Sequence, residues 1–170
     1  KGNWVSAGKP VMMADDEFRP FIAFSKYNTA TYSTEAEIDT VLDEAKFNCI
    51  WGRWDILVNG EIVLLENDKP YARTIMGIDQ AGEKLFLMVA DGKRPDYSLG
   101  FSYEECSKIL LALGAHNAMA CDQGGSSCMY VQQMGGIINR PADSDGYERP
   151  VYSHFVLSWS KKTTPQWRGF

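Results

Sequence analysis

The feature of this sequence that most constrains its fold is a helical pattern followed at once by a short apolar run and a glycine-rich loop. A capping box formed by Ser102 and Glu105 opens the helical pattern, and apolar residues then recur three and four positions apart until Gly114. The apolar run 118–121 has the length of a buried strand, and it ends directly before Asp122. A carboxylate at the end of a buried strand is a candidate acid, base or metal ligand.

The loop that follows this strand combines two glycines with two hydroxyl side chains. Gly124 and Gly125 allow the backbone to approach a ligand closely or to turn with positive φ. Ser126 and Ser127 add hydroxyl donors, and successive backbone N–H groups in such a turn can bind an anion. A plain turn capped by Asp122 explains the same pattern equally well, because glycine loops are common between elements.

The chain has the patterns of two main helices among strand-length runs. The spacing predicts helices over 35–46 and 103–113, each opened by a capping box. With the strands between them, these patterns predict a single α+β domain built on a mixed β-sheet. We expect the domain to cover residues 1–162, with residues 163–170 as a tail.

The strand patterns lie on both sides of the predicted helices. Asn59-Gly60 between two apolar runs is typical of a hairpin with a type I′ turn. The loop 79–82 predicts a second hairpin. The predicted strands cover residues 18–24, 29–32, 47–51, 55–58, 61–65, 74–78, 84–89, 118–121 and 151–159.

Composition and charge exclude several classes of protein. With 170 residues, one domain with a substantial core is the default. A net charge of −5 argues against non-specific nucleic-acid binding. No apolar run approaches the roughly 20 residues of a membrane span. The four cysteines lack a paired zinc spacing, so buried thiols are the simplest interpretation, with a Cys121–Cys128 bridge as the alternative in an exported protein.

Several motifs, in order along the chain, resemble the phosphodiester glycosidase domain family. This family includes the lysosomal N-acetylglucosamine-1-phosphodiester α-N-acetylglucosaminidase and bacterial proteins associated with exopolysaccharides. The resemblance extends from Val58 to Leu157, and several ordered motifs are more specific than one glycine loop. The matching segments are 72–79, 90–92, 113–115, 122–126, 139–141 and 149–151.

Two departures from the family pattern affect what we expect. The family's central motif is Asp-Gly-Gly-Gly-Ser, and Gln123 stands here in place of its first glycine. The family also has an Asn-Gly-Gly-Phe-Phe-like segment upstream, which this sequence lacks. We therefore expect a chain that starts after that segment, with an N-terminal segment or a second chain completing the fold.

The resemblance implies an exported hydrolase that cleaves sugar-1-phosphodiester bonds, with a sugar phosphate or glycan as its substrate. Glycoside cleavage commonly uses two carboxyl groups, and the candidates here are Asp122 and Asp91. An arginine entering a strand can bind a phosphate through two donors, although most arginines simply lie at the surface. The candidate substrate-binding residues are Arg73, Thr74, Gly124, Gly125, Ser126, Ser127, Asn139, Arg140 and Arg149.

Two other functions fit the same residues. A non-catalytic module that binds a glycan or glycan phosphate is favoured by Gln123 and by the absent upstream segment. A phosphodiesterase on the same scaffold would cleave the P–O bond instead.

No cofactor is indicated by the sequence. A divalent cation such as calcium could bind around Asp143, Asp145 and Glu148. The full EF-hand spacing is absent, however, so a solvated loop is the simpler interpretation.

Overall fold

A computed structural model describes residues 4–12, 19–34, 46–143, 147–152 and 154–158. Within these residues the chain forms strands, one α-helix (α1) and two single-turn 3₁₀ helices, Gly124–Ser126 and Gln132–Met134. The strands are β1 Trp4–Ser6, β2 Lys9–Met12, β3 Phe21–Ser25, β4 Ala30–Ser33, β5 Lys46–Trp51, β6 Trp54–Val58, β7 Glu61–Ile62, β8 Arg73–Ile78, β9 Leu85–Ala90, β10 Asn117–Ala120, β11 Tyr130–Val131 and β12 Gly136–Ile137; α1 is Tyr103–Ala112.

The strands form two five-stranded sheets and a small ribbon of β11 and β12. The first sheet has the order β2-β1-β5-β3-β4, and the second has the order β7-β6-β10-β8-β9. Every strand pairing in the described part of the chain is antiparallel, so the parallel pairs of the expected mixed sheet do not occur there. Strands that follow one another, such as β8 and β9, are joined by short loops and are therefore antiparallel, and β10 runs opposite to both strands that flank it.

The two sheets pack face to face, and α1 covers the outer side of the second sheet. Ile22 of the first sheet packs against Met76 and Met119 of the second. On the other face of the second sheet, Ile75 and the helix residue Leu110 belong to one buried cluster. Alternate strand residues thus face opposite layers, and the shared core makes the described residues one domain that is mostly sheet.

Helix α1 forms where the sequence predicts it, within one residue at its end. Ser102 Oγ accepts the Glu105 N–H at 3.1 Å, and Glu105 Oε2 accepts the Ser102 N–H at 2.8 Å, which completes the capping box. The other predicted helix, over 35–46, falls on residues outside the described ranges, apart from Lys46, which begins β5. No helix in the described ranges is long and apolar enough to cross a membrane.

The predicted hairpins are confirmed. Val58 pairs with Glu61, and the two residues between them, Asn59 and Gly60, have φ values of 52° and 80°. Positive φ at both central positions is the signature of a type I′ turn. The second hairpin joins β8 to β9 with continuous register from Arg73 to Ile78.

The last predicted strand, over 151–159, is wrong for the part that the structure describes. Residues 151, 152 and 154–158 contain no strand, and Tyr152 and Val156 are exposed. Alternating apolar residues predict a strand only if a partner strand is available, and none pairs with these residues. The tail 163–170 lies outside the described ranges.

No disulfide bond joins any of the four cysteines in the structure. Cys106 is buried, as its place on the apolar helix face predicts, and burial raises the pKa of its thiol to about 12. Cys49 is buried as well, whereas Cys121 and Cys128 are only partly buried. Cys121 and Cys128 are not bridged.

Antiparallel order brings four strand ends of the second sheet to one edge. In the register, Arg73 at the start of β8 lies opposite Ala90 at the end of β9. Ala120 at the end of β10 lies opposite Trp54 at the start of β6. The loops that contain the candidate site residues therefore leave the sheet side by side.

Candidate functional site

A cavity of about 530 Å³ opens at this edge of the second sheet. Its lining combines three aromatic rings with three cationic and two anionic side chains. The lining residues are Arg53, Trp54, Leu65, Glu66, Asn67, Asp68, Lys69, Tyr71, Arg73, Tyr103 and Gln123. Aromatic faces beside cationic groups suit a ligand with an anionic group and a flat or sugar-like part.

Arg73 is the most deeply placed charge of the cavity, with only 4% of its surface exposed. Its Nε donates to the Phe101 carbonyl at 3.1 Å. Its Nη2 donates to the Lys69 carbonyl at 2.7 Å and to Asp68 Oδ1 at 3.3 Å. Its Nη1 donates to Gln123 Oε1. Each guanidinium nitrogen therefore has an acceptor within the protein.

The guanidinium of Arg73 stacks on the ring of Tyr103, with 3.6 Å between its Cζ and the ring centroid. The Tyr103 hydroxyl donates to Gln123 Oε1 at 2.9 Å, so this one oxygen accepts from both Arg73 and Tyr103. Burial raises the pKa of Tyr103 despite the nearby positive charge of Arg73, so the phenol stays protonated and keeps its donor.

Asp68 connects the cavity to the start of α1. Its Oδ1 accepts the Tyr103 N–H and its Oδ2 accepts the Glu104 N–H, both at 2.9 Å. A carboxylate is favoured there because the first N–H groups of a helix have no partner within the helix. Asp68 thus fixes the helix terminus against Arg73 through its ion pair at 3.3 Å.

The carboxylate of Asp122 is exposed and held at both oxygens. Its Oδ1 accepts the Gln123 N–H at 2.9 Å, and its Oδ2 accepts the Ser126 hydroxyl at 2.6 Å. These bonds orient the carboxylate, as a catalytic group requires, and they also cap the loop. The geometry is compatible with both of the roles that the sequence suggests.

Residues 122–127, which we call the glycine loop, are tied to neighbouring segments at several points. Gly124 has φ +73° and donates its N–H to the Ala72 carbonyl at 3.0 Å. A Cβ at Gly125 would lie 2.1 Å from Asp143 Oδ1, so only glycine fits beside that carboxylate as it stands. The Thr74 hydroxyl donates to Ser127 Oγ at 3.1 Å.

Asp91, the second candidate carboxylate, holds a neighbouring loop. Its Oδ1 accepts from Asn139 Nδ2 at 3.0 Å and from the Arg140 N–H at 2.9 Å. Its Oδ2 accepts the Tyr97 hydroxyl at 3.2 Å. Asn139 also donates to the Ser127 carbonyl at 3.0 Å, which links this network to the glycine loop.

The two remaining candidate arginines are exposed and lie near the same loops. Arg149 donates to both oxygens of Asp143 at 2.9 Å, and this holds the pKa of Asp143 below its usual range. Arg140 lies 4.7 Å from the Tyr97 ring centroid. In the described ranges no group of three or more His, Cys, Asp or Glu residues could hold a metal ion, and Asp145 falls outside those ranges.

The structure brings Arg73, Asp91, Asp122 and Ser126 to one edge of the sheet, but only Arg73 lines the cavity. Sequence reasoning missed most of the lining. Residues 67–71 have the composition of a polar loop and no further pattern, Leu65 belongs to the predicted strand 61–65, and the helical spacing of Tyr103 predicts a core residue. The sequence signal for this cavity was the position of Tyr103, a tyrosine on the apolar helix face directly after the N-cap residue Ser102.

Comparison with known proteins identifies the family and the fold of the chain. The family model for phosphodiester glycosidases matches residues 1–158. The catalytic domain of zebrafish N-acetylglucosamine-1-phosphodiester alpha-N-acetylglucosaminidase, auto-inhibited by its pro-peptide, superposes with a TM-score of 0.71 at 25% identity. The match covers 84% of this chain and 51% of that one, so the chain spans about half the length of that relative.

A hypothetical protein from Synechocystis gives a TM-score of 0.44 at 25% identity, over 59% of this chain and 20% of that chain. No curated protein matches. Because the family model covers nearly the whole length, the chain belongs to the phosphodiester glycosidase family.

Proposed function

We propose that this chain hydrolyses the bond between the anomeric carbon of a sugar and the phosphate of a sugar phosphodiester. The proposal rests on family membership and on the name of the zebrafish relative. The main structural support is the position of Asp122 beside the cavity. Its exposed, oriented carboxylate belongs to the residue next to Gln123, and Gln123 contacts Arg73 in the cavity.

In the proposed reaction, water attacks the anomeric carbon and the carbon–oxygen bond to phosphate breaks. The bonding electrons leave with the phosphate oxygen, and Asp122 accepts the proton of the attacking water. A phosphate monoester is a good leaving group, so a second carboxyl need not protonate it. Asp91 would then act by fixing the 139–140 segment, since it is half-buried, unlike the exposed Asp122, and its Oδ1 accepts from Asn139 and from the Arg140 N–H.

The phosphate would lie between the cavity and the glycine loop. Arg73 and Lys69 supply positive charge there. Arg149 and Arg140, which are exposed, would contact the outer part of the substrate.

The test is product analysis with N-acetylglucosamine-α-1-phosphate methyl ester in ¹⁸O-labelled water. Cleavage at the anomeric carbon releases sugar and leaves methyl phosphate without label. Label in the phosphate would mean P–O cleavage, and the chain would then be a phosphodiesterase. Release of unlabelled methyl phosphate by wild type, and its loss in Asp122→Asn, is the result we expect.

One observation favours a second candidate, a module that binds a glycan phosphate without cleaving it. Every nitrogen of Arg73 already has a protein acceptor, and both oxygens of Asp122 accept hydrogen bonds within the glycine loop. Groups used in this way can be architectural. Saturable binding of the methyl ester without any sugar release would support this candidate over the hydrolase.

A further inference from the structure

Gln123 lines the cavity together with Arg73 and Tyr103. Its Oε1 accepts from Arg73 Nη1 and from the Tyr103 hydroxyl. These are two convergent donors, one of them cationic, on residues that are almost fully buried. Such a pair is a binding site for an anionic oxygen, and a neutral amide oxygen is a weaker partner for it than a phosphate oxygen would be.

Among the hydrogen-bond partners of Arg73, the side chain of Gln123 is the one that a ligand can displace most easily. Two other partners, Phe101 and Lys69, accept through backbone carbonyls. Asp68 is held by two N–H groups of the helix terminus. The Gln123 side chain, in contrast, can rotate away without breaking backbone or helix-capping bonds.

We infer that the Gln123 carboxamide occupies an anion subsite formed by Arg73 and Tyr103, and that a phosphoryl oxygen of the ligand displaces it. Gln123 is therefore a specificity-determining residue, which sets how readily the cavity accepts a phosphate. The inference rests on the proposed function only for the source of the phosphate, since the subsite itself is defined by the two donors.

The rest of the cavity fits the remainder of such a ligand. Three cationic residues face two carboxylates, and one of those, Asp68, is already paired with Arg73. The rings of Trp54 and Tyr71 offer apolar faces for the organic group attached to the phosphate. Arg53 and Lys69 are exposed at the mouth, where positive charge favours entry of an anion.

Substitutions at Gln123 test the inference cleanly because its backbone is extended, with φ −137°, a conformation open to any residue. Gln123→Ala keeps the N–H that Asp122 accepts but frees the Arg73 and Tyr103 donors. Gln123→Glu places a permanent negative charge in the subsite. Gln133→Ala, at an exposed glutamine on the second 3₁₀ turn, is the matched control.

The measurement is calorimetric titration of each variant with dimethyl phosphate and with inorganic phosphate, which needs no turnover. Removal of one competing hydrogen-bond partner should tighten binding by roughly three- to tenfold in Gln123→Ala. Gln123→Glu should weaken binding by at least about tenfold, and Gln133→Ala should bind as wild type does.

Weaker binding in Gln123→Ala at an unchanged melting temperature would overturn the inference, because the side chain would then be part of the binding surface. Equal binding of phosphate by Gln123→Glu and wild type would also overturn it. If wild type releases sugar but the phosphate affinity is the same in all Gln123 variants, this inference is wrong and the proposed function is supported. If Gln123→Ala binds phosphate more tightly but wild type releases no sugar, the inference is supported and the proposed function is wrong.

Discussion

The Ser126 hydroxyl donates to the Asp122 carboxylate at 2.6 Å across the glycine loop. The bond spans four residues and encloses the single 3₁₀ turn of the loop. It means that the orientation of the candidate catalytic carboxylate and the shape of the loop depend on each other. Substitutions that keep one and remove the other can separate chemistry from architecture.

Asp122→Asn should lower sugar release by roughly 10²- to 10⁴-fold, the usual effect of losing a general acid or base. Asparagine keeps the shape and can still accept the Gln123 N–H, so the melting temperature should stay near that of wild type. Ser126→Ala is the matched control: it removes the loop bond but keeps the carboxylate, and we expect a much smaller loss of turnover. If the asparagine variant turns over substrate as fast as wild type, Asp122 only caps the loop, and Asp91 becomes the first candidate for the catalytic carboxylate.

Asp68→Asn should lower the free energy of unfolding by about 1–3 kcal/mol, because it removes a charge from both the helix terminus and the pair with buried Arg73. Urea denaturation with a constant slope checks this value. Glu66→Gln changes an exposed carboxylate of the same cavity, and its effect should stay within about 0.5 kcal/mol. Equal changes in unfolding free energy in the two variants would contradict the role of Asp68 in holding the start of α1 against Arg73.

Gly92→Ala should destabilise the protein more than Gly125→Ala. A Cβ at Gly92 would lie 2.4 Å from the backbone nitrogen of Ala72, which directly precedes β8, and backbone there cannot shift without disturbing the strand. Overpacking of this kind typically costs about 1–3 kcal/mol. A Cβ at Gly125 would instead meet the end of the Asp143 side chain, which can rotate away.

Thermal unfolding of both variants gives the order of their stabilities. The double variant Gly125→Ala, Asp143→Ala should unfold at a temperature no lower than that of Asp143→Ala alone, because the collision is then removed. A reversed order of the two glycine variants would contradict the contacts described for these loops.

Asp55 makes stability depend on pH. Burial raises the pKa of Asp55 above its ordinary value of 3.8, and the hydrogen bond from the Tyr32 hydroxyl, 2.7 Å long, opposes this rise. The folded state therefore holds this proton more tightly than the unfolded chain does. The contribution of Asp55 to stability is fully present below pH 3.8 and is lost as the pH rises through the raised value.

Asp55→Asn should consequently reduce the fall in unfolding free energy between about pH 4 and about pH 7. Tyr32→Phe removes the opposing hydrogen bond and should make that fall steeper. Tyr27→Phe, at an exposed tyrosine, serves as its control. Chemical denaturation across this pH range measures the slopes, and identical slopes in wild type and Asp55→Asn would contradict the assignment.

The local elements of this protein could be predicted because their signals are local. The capping box of Ser102 and Glu105 and the Asn59-Gly60 turn each depend on contacts between residues a few positions apart, and both formed as predicted. Family membership could be recognised for a similar reason, since ordered motifs keep their spacing along the chain whatever their neighbours in space.

The cavity depended on contacts that no local pattern contains. Gln123 and Arg73 are 50 positions apart, and Tyr103 meets both only because α1 packs on the second sheet. The apolar spacing around Tyr103 is the same whether its hydroxyl faces a core or a cavity. The strand predicted over 151–159 is absent from the described residues of that range for the converse reason: its alternation is local, but a strand also needs a partner strand, and only the tertiary structure supplies one.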